Sequence, residues 1–145
     1  MTPEFIETRI IDAVWKLLLG RVNKLLCDME FSIPTIESGK CGGNSVIPVI
    51  TLSTCEKTEK ERLIRIDAYT LTINFSLQEH HDAEWYCYGY ACAFEKALGE
   101  NVTLGGVADR AVITGKKYIT PKKQNCGEGL GLIITLRVTV EGMAA

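Results

Sequence analysis

Leu130-Gly131-Leu132-Ile133-Ile134-Thr135-Leu136-Arg137-Val138-Thr139-Val140-Glu141 is the stretch that decides the fold. Leu130, Leu132, Ile134, Leu136, Val138 and Val140 fall on every second residue. Gly131, Thr135, Arg137, Thr139 and Glu141 lie between them, and Ile133 is the one exception. A period of two with β-branched residues predicts a strand with one face on a core. Ile64 to Leu77 carries the same signature. Tyr69, Leu71, Ile73, Phe75 and Leu77 alternate with Thr70, Thr72, Asn74 and Ser76. Ile64 and Ile66 have the opposite parity, so a bulge or strong bend is expected between Asp67 and Tyr69.

Working outward, the next segment is helical. Glu79 to Leu98 places Cys87, Ala91, Phe94 and Leu98 on one face, with Gly99 where a left-handed cap belongs. Trp85, Tyr88 and Cys92 are expected to widen that face. Tyr86 and Tyr90 leave few polar positions, so the helix reads as buried on more than one side. An earlier helix is expected over about residues 3–26. Thr2 would cap it and Pro3 and Glu4 would open it. Its stripe is Ile6, Ile10, Val14, Leu17 or Leu18, Val22 and Leu25, with a break possible at Gly20.

Between these helices, residues 28–44 read as a loop, in which Phe31 and Ile33 are candidates for a short strand. Ser45 to Leu52 reads as a strand, and Pro48 inside it argues for an edge position. Residues 53–62 are charged and read as the long solvated tip of an antiparallel hairpin. After the second helix, Gly105-Gly106 reads as a turn needing positive φ. Val107 to about Lys117 reads as a strand, and 116–129 as a flexible basic arm. The last strand is followed by a short tail, 142–145. The order is α-β-β-α-β-β. The expected fold is one α+β domain, residues 1–145, with an antiparallel or mixed sheet of about four main strands and two helices packed on it.

Composition narrows function more than it assigns it. The chain has 145 residues and a formal net charge of -2. That charge offers no global attraction for nucleic acid or anionic membrane. Apolar runs are too short to span a bilayer. Met1-Thr2-Pro3-Glu4-Phe5 has no basic leader pattern, so synthesis and first residence in the cytoplasm are expected. Cys27, Cys41, Cys55, Cys87, Cys92 and Cys126 include no C-x-x-C and no zinc-finger spacing, and are read as reduced thiols.

No motif assembles an active site. His80-His81 reads as a surface helix start rather than a metal site, because adjacent side chains there diverge. Gly105-Gly106 precedes a strand and lacks a phosphate-loop pattern. No G-x-S-x-G elbow occurs. Lys116, Lys117, Tyr118, Lys122 and Lys123 form a basic arm. A solvated loop, a docking arm for another protein and a nucleic-acid contact are its three readings, the first being favoured because the rest of the chain is acidic. No catalysis, metal or cofactor is expected.

In its layout the chain resembles the tail terminator and minor tail proteins of long-tailed bacteriophages, the lambda U-like group. The resemblance covers about residues 4–143. It rests on the N-terminal helix, the strand Val46-Ile47-Pro48-Val49-Ile50, the charged hairpin tip and the strand Tyr69 to Phe75 with the helix after it. The link Ala97-Leu98-Gly99-Glu100-Asn101-Val102-Thr103-Leu104-Gly105-Gly106-Val107 and the closing Leu-x-Ile-x-Leu-x-Val-x-Val strand also fit. The six cysteines and the aromatic-rich helix depart from that pattern. The resemblance implies a virion structural subunit made in the bacterial host cytoplasm and carried in the tail. Such subunits form a ring, usually a hexamer, that caps the tail tube, ends its polymerisation and offers a surface to the head. Expected partners are further copies of the chain, the tail tube protein and a head-completion or connector protein. Candidate subunit or tube contacts are Pro48, Trp85, Tyr88, Lys116, Lys117, Lys122 and Lys123. Two other readings stand beside it. One is a small ligand-binding or regulatory α+β domain, with Trp85, Tyr86, Tyr88 and Tyr90 lining a pocket. The other is a head–tail connector.

Overall fold

The computed structural model describes residues 5–29, 33–38, 46–61, 64–77, 83–119 and 130–143. Its elements are α1 (Ile6–Leu17), a π-helical turn (Leu18–Val22), α2 (Asn23–Cys27), β1 (Val49–Glu61), β2 (Ile64–Leu77), α3 (Ala83–Glu100), β3 (Arg110–Ile119) and β4 (Leu130–Met143). The strands form one antiparallel sheet in the order β1-β2-β4-β3. This is the α+β fold expected, and the element order is α-β-β-α-β-β.

β2 and β4 are the central strands because each can bury one face and pair on both sides. Tyr69, Leu71, Ile73, Phe75 and Leu77 are buried on β2, and Leu132, Ile134, Leu136 and Val138 on β4. The helices cover this face alone. Phe75 stacks on Tyr90 of α3, with ring centroids 5.1 Å apart and planes 8° from parallel. The opposite face carries Thr70, Thr72, Asn74 and Thr135, all half-buried.

Several boundaries differ from expectation for physical reasons. The helix begins at Ile6, since Phe5 is extended (φ -108, ψ 158), and Thr8 bonds back to the Phe5 main chain. Thr2, Pro3 and Glu4 lie outside the described residues. Gly20 does not break the helix but sits in the π turn. That extra residue per turn buries Leu17, Leu18, Val22, Leu25 and Leu26 together.

Residues 53–61 are not a solvated tip. They are the second half of β1, paired with Ile64 to Thr70. Their charged sequence is compatible with a strand because Ser53 to Thr58 are exposed, so no apolar alternation is imposed. Conversely, 46–48 are not strand, and Ser45 lies outside the described residues. Pro48 is buried just ahead of β1, and Val46 forms an isolated parallel bridge to Ile36. Ile33 is not in a strand; Phe31 lies outside the described residues.

The bulge expected near Asp67 is absent from β2, whose register with β4 is continuous from Ile64 to Leu77. The irregularity lies across the ladder, between Leu52 and Thr54 of β1.

α3 runs through Gly99 to Glu100, so Gly99 is no left-handed cap. The left-handed residues are Leu104 (φ 51), Gly105 (φ 70) and Gly106 (φ 91), which turn the chain into β3. β3 then starts at Arg110 and extends past Lys117 to Ile119, so the arm cannot begin before residue 120.

The N-terminal helix and α3 clamp the segment 33–38 between them. Ile36 N–H donates to Asn23 Oδ1 at 2.8 Å, and Asn23 Nδ2 donates to the Ile36 carbonyl at 2.9 Å. Tyr90 donates its hydroxyl to the Pro34 carbonyl at 2.7 Å. Gly89 permits this approach, because a Cβ there would lie 2.1 Å from Ile33 Cδ1.

Candidate functional site

α3 packs one face on the sheet and leaves another in solvent. Cys87, Tyr90, Ala91, Phe94 and Leu98 are buried. Trp85, Tyr88, Cys92 and Glu95, at i, i+3, i+7 and i+10, form the opposite stripe. They do not widen the buried face: Trp85 is 60% exposed, Tyr88 44%, and Cys92 is also exposed. Glu95 and Gly99 on the same stripe are the polar signal that marks it in the sequence.

The stripe runs beside β3, an edge strand of the sheet. Tyr118 meets the Tyr88 ring edge-on at 5.4 Å, and Trp85 meets Tyr88 at 6.2 Å. Tyr88 also donates its hydroxyl to Glu84 Oε1 at 2.8 Å. Lys116 Nζ reaches Glu95 Oε1 at 2.6 Å. That contact holds the Lys116 ammonium above its ordinary range. Beyond this ion pair the seam opens into a groove of about 440 Å³ lined by Leu98, Val102, Ala111 and Ile113. An aromatic cluster, an ion pair and an apolar groove thus follow one another along the α3–β3 seam.

The proposed contact residues divide between the two sheet edges. Trp85, Tyr88, Lys116 and Lys117 lie along the β3 edge, and Pro48 stands at the head of β1 on the other. Lys116 and Lys117 belong to a strand rather than a loop. Lys122 and Lys123 lie outside the described residues, as do His80, His81, Cys41 and Cys126. Trp85, Tyr86, Tyr88 and Tyr90 do not converge on a pocket. Tyr90 is in the core, where burial holds its hydroxyl well above its ordinary range, while Trp85 and Tyr88 face outward.

A second cleft, of about 540 Å³, lies between the outer face of α1 and the turn before β3. Arg9, Asp12, Lys16, Leu17, Arg21 and Leu104 line it. Arg21 closes one side through a paired contact with Glu100, Nε to Oε2 at 2.9 Å and Nη2 to Oε1 at 3.1 Å. That contact holds the Glu100 carboxyl below its ordinary range.

Among the described residues no group of three or more His, Cys, Asp or Glu is placed to hold a metal ion. Among them, too, no helix is long and apolar enough to cross a membrane. No model of a known protein family matches the chain, and no curated protein matches it in sequence.

Proposed function

We propose that this protein is a structural subunit of a phage or prophage virion, a tail terminator or tail-completion protein. In this reading it forms a ring, with six subunits expected. The ring caps the tail tube, stops its polymerisation and presents a surface to the head-completion or connector protein. The protein is made in the host cytoplasm and resides in the tail.

The observation that carries the reading is the open seam beside β3, an edge strand that among the described residues is bonded on its outer side only at Ala111. An exposed Trp85-Tyr88-Tyr118 cluster beside an apolar groove has the composition of a protein contact. Heterologous contacts between different patches of identical subunits close into rings. The element order is also the one on which the resemblance to tail terminators rests.

The test is solution mass by light scattering on a sizing column, across concentration and salt. A closed ring of several subunits, followed by binding to tail tube protein, is the expected result. A protein that stays monomeric, both alone and with tube protein, refutes the reading. The alternative of a ligand-binding domain rests on the cleft beside Arg9, Lys16 and Arg21. Saturable binding of a small anion there, by a protein that never assembles, is the result that would favour it.

A further inference from the structure

We propose that β3 of one copy pairs antiparallel with β1 of the next, so that the sheet continues from subunit to subunit. This rests on the ring reading above and names its interface.

Three features of the sheet point to a second copy as the occupant of the β3 edge. The first is polarity. Every neighbouring pair in β1-β2-β4-β3 is antiparallel, so β1 and β3 run in opposite directions. Rotation about an axis along the strands preserves strand direction. It therefore brings β3 beside the next copy's β1 in antiparallel sense.

The second is phase. Ala111 N–H donates to the Val102 carbonyl at 2.7 Å, so it points away from β4. Alternation then turns the main chain of Ile113 outward and, after the extra residue at Thr114, that of Lys116. Carried across β4 and β2, the same alternation turns Ile50 and Leu52 outward on the far edge. The outward-facing residues on both edges have side chains on the helix-covered face. Joining them keeps the helices of both copies on one side. Leu52 of the incoming strand meets Ile113 at the mouth of the groove formed by Leu98, Val102 and Ala111.

The third is the pair of bulges. The bulges at Ser53 and Thr114 flank the height of Leu52 and Ile113, and bulges add the twist and curvature that a closing sheet requires.

The experiment measures assembly of the full chain, alone and with tail tube protein, by light scattering. Ile113→Pro and Leu52→Pro remove an outward N–H and should abolish assembly while circular dichroism stays native. In the wild-type assembly the amides of Ile50, Leu52, Ile113 and Lys116 should be protected from hydrogen exchange, and that protection should vanish on dilution. Rings that form normally in both proline variants, with those amides unprotected, overturn the pairing and leave the ring intact. A wild-type chain monomeric under every condition overturns both.

Discussion

Asn23→Ala is expected to cost about 2 kcal/mol, far more than a half-exposed polar residue on a helix usually contributes. The reason is what Asn23 replaces. Val46 is bonded to Thr35 and Glu37, so the N–H and carbonyl of Ile36 face the other way, toward the helix. Asn23 satisfies both, at 2.8 and 2.9 Å, and also donates to the Leu19 carbonyl at 3.2 Å. Ile36 itself is 1% exposed. Removing the amide strands two main-chain groups, each worth about 1–1.5 kcal/mol when partly buried. Alanine returns about 0.5 kcal/mol of helix propensity. The remainder corresponds to a fall in Tm of about 4–8 °C for a chain of this size. Urea unfolding followed by circular dichroism measures it. Asn23→Asp keeps the acceptor for the Ile36 N–H and loses the donor, so it should fall about halfway. Tyr90→Phe releases the Pro34 carbonyl on the same segment and should cost about 1 kcal/mol alone. Combined with Asn23→Ala it should cost less than the sum, because the segment is already released. An Asn23→Ala variant within about 0.5 kcal/mol of wild type would refute the clamp.

Other expectations follow from single groups. The Glu100 carboxyl is held below its ordinary value by Arg21, so the stability it contributes is present above the unfolded-state value and lost as pH falls through the lowered one. Glu100→Gln should therefore destabilise slightly at neutral pH and flatten the acid limb of the stability curve. Acid titrations identical for variant and wild type would count against this. Burial pushes the Cys87 thiol up to about 11, whereas Cys27, Cys55 and Cys92 are exposed. Iodoacetamide with peptide mapping should label those three in the native protein and Cys87 only in denaturant. Two glycines should respond with opposite signs. Gly20→Ala has open space around it and should stabilise by about 0.5–1 kcal/mol. Gly106→Ala, at φ 91, should destabilise by about 1 kcal/mol. Thermal melts of the two variants decide both signs.

What the sequence makes legible follows where burial is one-sided and complete. β2 and β4 each pair on both sides and bury every second residue, so their parity shows directly in the chain. The second half of β1 hides because pairing alone holds it. With no apolar face there is no alternation, and Ser53 to Lys57 looks like a loop. α3 misleads in the opposite direction. Trp85 and Tyr88 look like core residues by type, yet they share a stripe with Glu95 and Gly99 that faces the β3 edge. Gly20 looks like a helix end because glycine weakens helices, but a π turn keeps the chain bonded through it. The seam itself joins α3 to β3, and no local pattern reports that Tyr118 and Tyr88 will meet.

The sheet face opposite the helices bears on where partners can attach. Thr70, Thr72, Thr135 and Thr139 lie across its centre, with Asn74 and Arg137 beside them. Short β-branched hydroxyl side chains suit a strand face open to water and offer little apolar area to a partner. Aromatic exposure clusters instead along α3 and β3, at Trp85, Tyr88, Tyr118 and the groove beyond Lys116, while Val49 is a single exposed apolar side chain at the β1 end of the threonine face. Open edges invite pairing, and natural sheets blunt them with charge, bulges and cover. Here Val102 covers Ala111, bulges interrupt both edges, and Lys116 and Lys117 charge one of them. Between these devices the main chain of Ile113 and Lys116 on one edge, and of Ile50 and Leu52 on the other, still faces outward. A bulge set beside each of these stretches discourages a flat strand while admitting one that is bulged at the same height, as the far edge of another copy is.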